Sequence, residues 1–311
     1  MKTTAVTVGD IARSVLAVPP LARAADLSVN RAANRALTRH LEEGGVRTLM
    51  YGGNANFYHV GVGGYAATLD ALAEDAGDDT WVIPSAGPDF GKLMDQAPIL
   101  RDRAFPTAMV LPLTAPATPG GVARGIRLFA EALGRPVILY LKADGYLTVE
   151  LVKALFDDGV AIAVKYAVVR DDPAADPFLA RLVDAVDRSR IISGIGERPA
   201  ITHLRAFGLP AFTSGSVCVA PAASTALLAA LRAGDLAAAE RLRAAFLPLE
   251  DLRDALGPIR VLHDAVTGAG IADMGPMLPM LETLEEPERG RVAAAARALL
   301  GFDRGVGRAA A

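Results

Sequence analysis

The sequence has one cysteine, Cys218, which excludes an internal disulfide and suits a reducing, cytoplasmic setting. No apolar run reaches the length of a membrane-spanning helix, so no membrane association is expected. The first residues have Lys2 but no sustained apolar core before Asp10 and Arg13, unlike a secretory signal. With a net charge of −3 over 311 residues, the chain has no basic surface for nucleic acid. Cysteine, histidine and acidic residues show no metal-ligand spacing, so a metal centre is not expected. No P-loop is present, and Gly194-Ile195-Gly196-Glu197-Arg198-Pro199 lacks the third glycine of a dinucleotide fingerprint. No resident cofactor is therefore expected.

The most informative scarcity is lysine. Of the 32 lysines and arginines together, five are lysine (Lys2, Lys92, Lys142, Lys153, Lys165), leaving 27 arginines. One of the five ends an apolar run, Val160-Ala161-Ile162-Ala163-Val164-Lys165-Tyr166. Burial disfavours an ammonium and lowers its pKa, and a neutral amine adds to a ketone to form an imine. The alternative is a lysine whose stem lies along the strand while its head reaches water.

What is present reads as an α/β chain. Apolar residues make up 52% and charged residues 22%, ordinary for such a fold. Strands are predicted at Ser14–Val18, Val46–Tyr51, Thr80–Ser85, Thr107–Leu111, Val137–Leu141, Val160–Lys165, Arg190–Ser193 and Ala211–Ser214. The intervals between them leave room for one helix per crossover. Ser28 is predicted to cap a helix that stops at Gly44-Gly45. Thr118-Pro119 starts another that stops near Gly134, and Thr148 and Gly159 bracket a third. Eight βα units predict a TIM (β/α)8 barrel over residues 1–220, with an open doubly wound sheet as the alternative. From 221 to 311 the Ala/Leu/Arg-rich sequence predicts a C-terminal helical domain of about three helices.

In such a barrel the strands present their chemistry at their C-terminal ends. The second strand ends in Tyr51-Gly52-Gly53-Asn54, the fifth in Tyr140-Leu141-Lys142 and the sixth in Lys165-Tyr166. The seventh runs into Gly194-Ile195-Gly196-Glu197. A lysine, a phenol, a glycine-rich anion pocket and a carboxylate at one mouth are the equipment for binding a 2-keto acid and forming an imine.

These residues resemble the dihydrodipicolinate synthase and N-acetylneuraminate lyase family of class I aldolase-type barrels. The similarity runs from about Ser14 into the C-terminal helices, and rests chiefly on Tyr140 and Lys165, about 25 residues apart on consecutive strands. Weaker carriers are Gly52-Gly53-Asn54, where the family has Gly-Thr-Thr, and Val219-Ala220-Pro221 before a helix. The resemblance implies that Lys165 forms the imine and Tyr140 shuttles protons. It also implies that Gly52, Gly53 and Asn54 hold the substrate carboxylate, and that the chain is a homo-oligomer, tetramer or dimer.

The departures shape the expected activity. The synthase places an arginine shortly after its tyrosine to hold the semialdehyde carboxylate; here stands Ala143-Asp144-Gly145-Tyr146. It places paired aromatics after strand four; here stands Pro112-Leu113-Thr114. Lys142 is a candidate substitute for the missing cation, or a solvated loop residue. Gly194 and Glu197 resemble the lyase's Gly-x-Asp-Glu segment, which holds sugar hydroxyls; otherwise Glu197 merely starts a helix. Asn54 is a ligand or a turn residue. The expected function is an aldolase or dehydratase acting on pyruvate or a 2-keto-3-deoxy sugar acid. The alternatives are the synthase reaction of pyruvate with aspartate semialdehyde, and a non-catalytic keto-acid-binding protein. His40, His59, His203 and His263 read as packed or surface residues, and Cys218 as a small core residue.

Overall fold

Short runs of β-branched and aliphatic residues become strands, and the amphipathic stretches between them become helices packed outside. The structure, a computed structural model, describes residues 1–310 and side chains through Arg308. It opens with a single turn of helix, α1 (Val8–Ala12), then β1 (Leu16–Ala17), α2 (Arg31–Glu43) and β2 (Thr48–Tyr51). Alternation continues with α3 (Val62–Asp75), β3 (Trp81–Ala86), α4 (Phe90–Arg101), β4 (Met109–Val110), α5 (Pro119–Leu133) and β5 (Val137–Leu141). It is completed by α6 (Val149–Asp157), β6 (Ala161–Tyr166), α7 (Pro177–Ala185), β7 (Ile191–Ser193), α8 (Ala200–Ala206), β8 (Thr213–Ser214) and α9 (Pro221–Ala233). Three further helices follow, α10 (Leu236–Leu256), α11 (Pro258–Gly268) and α12 (Glu288–Ala310).

All strand pairs are parallel, and each strand pairs with its sequence neighbours, with β1 also beside β8. Between β7 and β8 the wall is joined by one bridge, Ser193 with Phe212, where the Ser193 N–H donates to the Ala211 carbonyl at 3.1 Å. The result is the TIM barrel expected from the strand count, rather than an open sheet. α9 packs on α2 and completes the outer ring of helices, so the helices outside the ring are α10, α11 and α12. Ala239 of α10 and Val266 of α11 join the barrel's own buried cluster, while Phe246, Leu249, Val261, Ala265, Val292 and Leu299 gather into a second one among α10, α11 and α12.

Local signals set most boundaries. Thr118 caps α5 through its side chain with Pro119 following, and Gly134 ends it in the left-handed region. Thr148 caps α6 in the same way. One cap differs from expectation. Asn30, not Ser28, caps α2 by accepting from the Ala33 N–H. Ser28 instead donates to Asp26 in a turn beside the Arg23–Val29 bridge, which turns the chain before the helix begins.

No helix among the described residues is long and apolar enough to cross a membrane. Cys218 is fully buried in the core.

Candidate active site

β5 and β6 run parallel with Tyr140 directly beside Lys165. Side chains on adjacent register positions share a face, and both residues line a cavity of about 350 Å³ at the C-terminal mouth of the barrel. The next residue, Tyr166, faces the other way: its ring stacks on Phe178 of α7 and its hydroxyl donates to Asp176 at 2.5 Å. That outward anchor fixes the strand's rotation and hence the inward aim of Lys165.

The Lys165 side chain has its amine 4.4 Å from the centroid of the Tyr140 ring, and the residue is only 5% exposed. Burial lowers its pKa to about 7, and the positive charge of Lys142 pushes in the same direction. The ring face of Tyr140 acts against both, because an aromatic face attracts an ammonium. Burial raises the Tyr140 phenol to about 12, so at neutral pH it keeps its proton as a donor. An amine free of its proton beside a protonated phenol is a nucleophile with an acid at hand.

Gly52, Gly53, Asn54, Lys142 and Gly194 line the same cavity. After β2 the chain folds into a short 3-10 turn, Gly53–Ala55. The first amides of such a turn have no acceptor within it, which leaves Gly53 and Asn54 N–H groups for a carboxylate. The Asn54 side chain is partly committed, since its amide nitrogen donates to the Val18 carbonyl at 2.8 Å. Gly194 contributes bare backbone: its N–H donates to the Tyr166 carbonyl at 2.6 Å, and a β-carbon there would lie 2.7 Å from that oxygen. Lys142 is exposed at the rim, on the face of Tyr140 as strand alternation predicts.

Glu197 stands apart from the other expected site residues: it does not line the cavity and is fully buried behind the wall. Ser214 of β8 donates to Oε2 at 2.8 Å and Ser224 of α9 to Oε1 at 2.6 Å. Its backbone N–H donates to Glu250 Oε1 at 3.0 Å. The reason is Gly196, whose positive φ of 105° turns the chain inward before Glu197. Burial raises the Glu197 carboxyl pKa, and burial together with the Glu197 charge raises that of Glu250.

The histidines are structural. His203 shares a 2.8 Å hydrogen bond with Ser193, and burial lowers it to about 4. His263 Nε2 bonds the Gly275 carbonyl at 2.9 Å, His40 Nε2 lies 3.3 Å from the Val219 carbonyl, and His59 is exposed.

Sequence reading missed the part of the cavity supplied by the helices after the barrel. Arg253 and Asp254 come from the end of α10, and Ile259 and Arg260 from the start of α11. Arg253 is buried, with Nη1 3.2 Å from Glu250 and Nη2 3.2 Å from Asp254. Tyr58, in the loop after β2, also lines the cavity, and burial raises its phenol pKa. The Gly257-Pro258 helix start was the available signal for α11, but nothing in its spacing links it to the strand ends.

The chain and its fold have counterparts among known proteins. No family model matches the chain. A probable 5-dehydro-4-deoxyglucarate dehydratase 1 of Streptomyces coelicolor is 28% identical over 303 residues, covering 91% of this chain and 90% of that protein. A second probable dehydratase of that name from the same organism is 28% identical over 208 residues, 65% of this chain and 62% of its own. The crystal structure of dihydrodipicolinate synthase from Oceanobacillus iheyensis superposes with a TM-score of 0.81 at 21% identity, covering 94% of this chain and 99% of that one. A prophage protein of the dihydrodipicolinic acid synthase family from E. coli K12, solved in complex with pyruvate, gives 0.81 at 21% identity over 92% and 98%. The family expected from Tyr140 and Lys165 is the family of these neighbours. In fold the chain is similar to proteins of the dihydrodipicolinate synthase family.

Proposed function

We propose that the protein is a lyase that binds a 2-keto acid as an imine on Lys165 and dehydrates a 2-keto-3-deoxy sugar acid. The observation that carries this reading is the Lys165 amine, buried against the Tyr140 ring in the cavity and with a pKa near neutrality. Lys165 Nζ attacks the keto carbon, and the Tyr140 hydroxyl gives its proton to the departing carbinolamine oxygen, so water leaves and the imine forms. The iminium withdraws electrons from C3, whose proton passes to the Tyr140 oxygen left unprotonated by imine formation, giving an enamine and restoring the phenol. The enamine expels the C4 hydroxyl as water, taking a proton from the phenol side of the cavity, and hydrolysis of the imine then frees the product and the amine. The Gly53–Asn54 turn holds the carboxylate beside the keto carbon. Two observations favour dehydration over condensation with aspartate semialdehyde: the curated relatives are named as dehydratases, and the residues after Tyr140 offer no arginine for a semialdehyde.

Borohydride reduction in the presence of pyruvate, followed by peptide mass mapping, tests the assignment. The expected result is the ligand's mass on the peptide holding Lys165; modification at another lysine, or at none, overturns it.

A further inference from the structure

Away from the active site, one buried charge has no partner. Arg23 lies between β1 and α2 and is only 6% exposed. The chain there is well fixed: Arg23 bridges to Val29, and its N–H donates to the Met274 carbonyl at 3.0 Å. Its side chain is held by one bond, from Nη1 to the Leu27 carbonyl at 2.8 Å. Nε and Nη2 are buried and have no acceptor among the described residues. Burial lowers the guanidinium pKa, and no acid offsets that. Nε and Nη2 form one edge of the guanidinium, the edge that takes two oxygens of a single anion. Buried charges are ordinarily paired, so this open edge fits an anion from outside the chain.

Arg23 is in the wall of a cavity of about 500 Å³ that shares no lining residue with the active-site cavity. No acid lines it, and its other polar side chains are mostly committed. Arg31 pairs with Glu74 at 3.0 Å and Asp75 at 2.7 Å, Ser28 donates to Asp26, and Thr68 donates to the Gly64 carbonyl. The start of α3 opens on the same cavity through Gly61 and Gly64. Gly61 caps that 14-residue helix without a side chain to accept from its first amides. A β-carbon at Gly61, Gly63 or Gly64 would meet nothing within 4 Å, so the approach to those amides is open. Val29, Val60, Ala67, Ala71 and Leu278 make much of the remaining wall apolar.

We infer that this cavity is a second binding site, for a small phosphate monoester held by the Nε–Nη2 edge of Arg23 and the first amides of α3. The two oxygens of a carboxylate fill the guanidinium edge alone, whereas the third oxygen of a phosphate uses the helix amides. The organic body of the ester lies against the apolar wall. Nothing in this site depends on an imine at Lys165.

Isothermal titration calorimetry with phenyl phosphate and with benzoate tests the assignment. Phenyl phosphate should bind with a Kd below about 1 mM, and roughly tenfold more tightly than benzoate. Arg23→Met should weaken phenyl phosphate at least about tenfold without lowering the denaturant midpoint, because it replaces an unpaired buried charge with an apolar chain. Gly61→Asp gives α3 a capping side chain and places a repelling charge at the same amides. It should weaken phenyl phosphate by a similar factor while stability holds or rises. Lys165→Ala should leave phenyl phosphate binding as it is. Absence of binding in the unaltered protein overturns the site, as does binding that survives either substitution. Loss of binding in Lys165→Ala also overturns it, by placing the ester in the active-site cavity. Benzoate binding as tight as that of phenyl phosphate overturns the choice of phosphate. If Arg23→Met fails to fold, Gly61→Asp decides the question alone.

Discussion

Lys165 and Arg253 are both buried cations on one cavity, 5% and 6% exposed, yet their surroundings differ. Arg253 has carboxylates of Glu250 and Asp254 at 3.2 Å. Among the described residues no carboxylate pairs with Lys165, which has an aromatic face and a second lysine instead. The paired guanidinium braces the end of α10 against the barrel. The unpaired amine has its pKa lowered to about 7 by burial, which is what the proposed imine chemistry requires of it. Burial is common to both, so what separates a structural cation from a reactive one here is the missing counter-ion.

The contrast can be broken most directly at the amine itself. Lys165→Ala should lower turnover by at least about 10⁴-fold and abolish borohydride trapping, measured by steady-state kinetics and mass spectrometry. Residual trapping at Lys142 would move the nucleophile to the rim. Tyr140→Phe keeps the ring under the ammonium but removes the acid. It should cost about 10²- to 10³-fold in turnover, with the Lys165 titration little changed, as a pH series of trapping rates would show.

The strand spans were legible because a barrel strand must be apolar on both faces. Six of the eight observed strands lie inside the predicted spans, and the other two, Trp81–Ala86 and Ala161–Tyr166, overrun theirs by one residue. Tyr140 and Lys165 were legible as a pair because parallel register carries sequence position directly into space. Glu197 was not, since one left-handed glycine decides whether the side chain after it meets the cavity or the core, and its letters read alike either way. Arg253 and Arg260 were illegible for another reason: a helix packed across the mouth obeys no strand register, and its arginines look like any surface cation in a chain with 27 of them among its 32 basic residues.

Glu197 provides the third prediction, on the structural side of the contrast. Glu197→Ala should destabilise the protein by about 3 kcal/mol, seen as a lower denaturant midpoint, while the KM of the surviving native enzyme stays within about twofold. A large rise in KM with stability intact would return this carboxylate to the substrate. The smallest effect should come from the rim. Imine formation should rise with pH through about 7 and then level, because only the deprotonated amine attacks and burial has brought its pKa there. Lys142→Glu replaces a repelling charge with an attracting one, so it should move that midpoint upward by about half a unit, read from trapping rates between pH 5 and 9. A midpoint that stays put would mean burial alone tunes the amine.

The barrel wall is thinnest between β7 and β8, where one backbone bridge spans the gap. Glu197 lies at that joint, gripping Ser214 on one side and Ser224 on the helix beyond. The acid that resembles a sugar-binding residue of the lyases thus works here as a rivet across a seam. A residue can keep its letter through a family while its employment passes from the guest to the masonry.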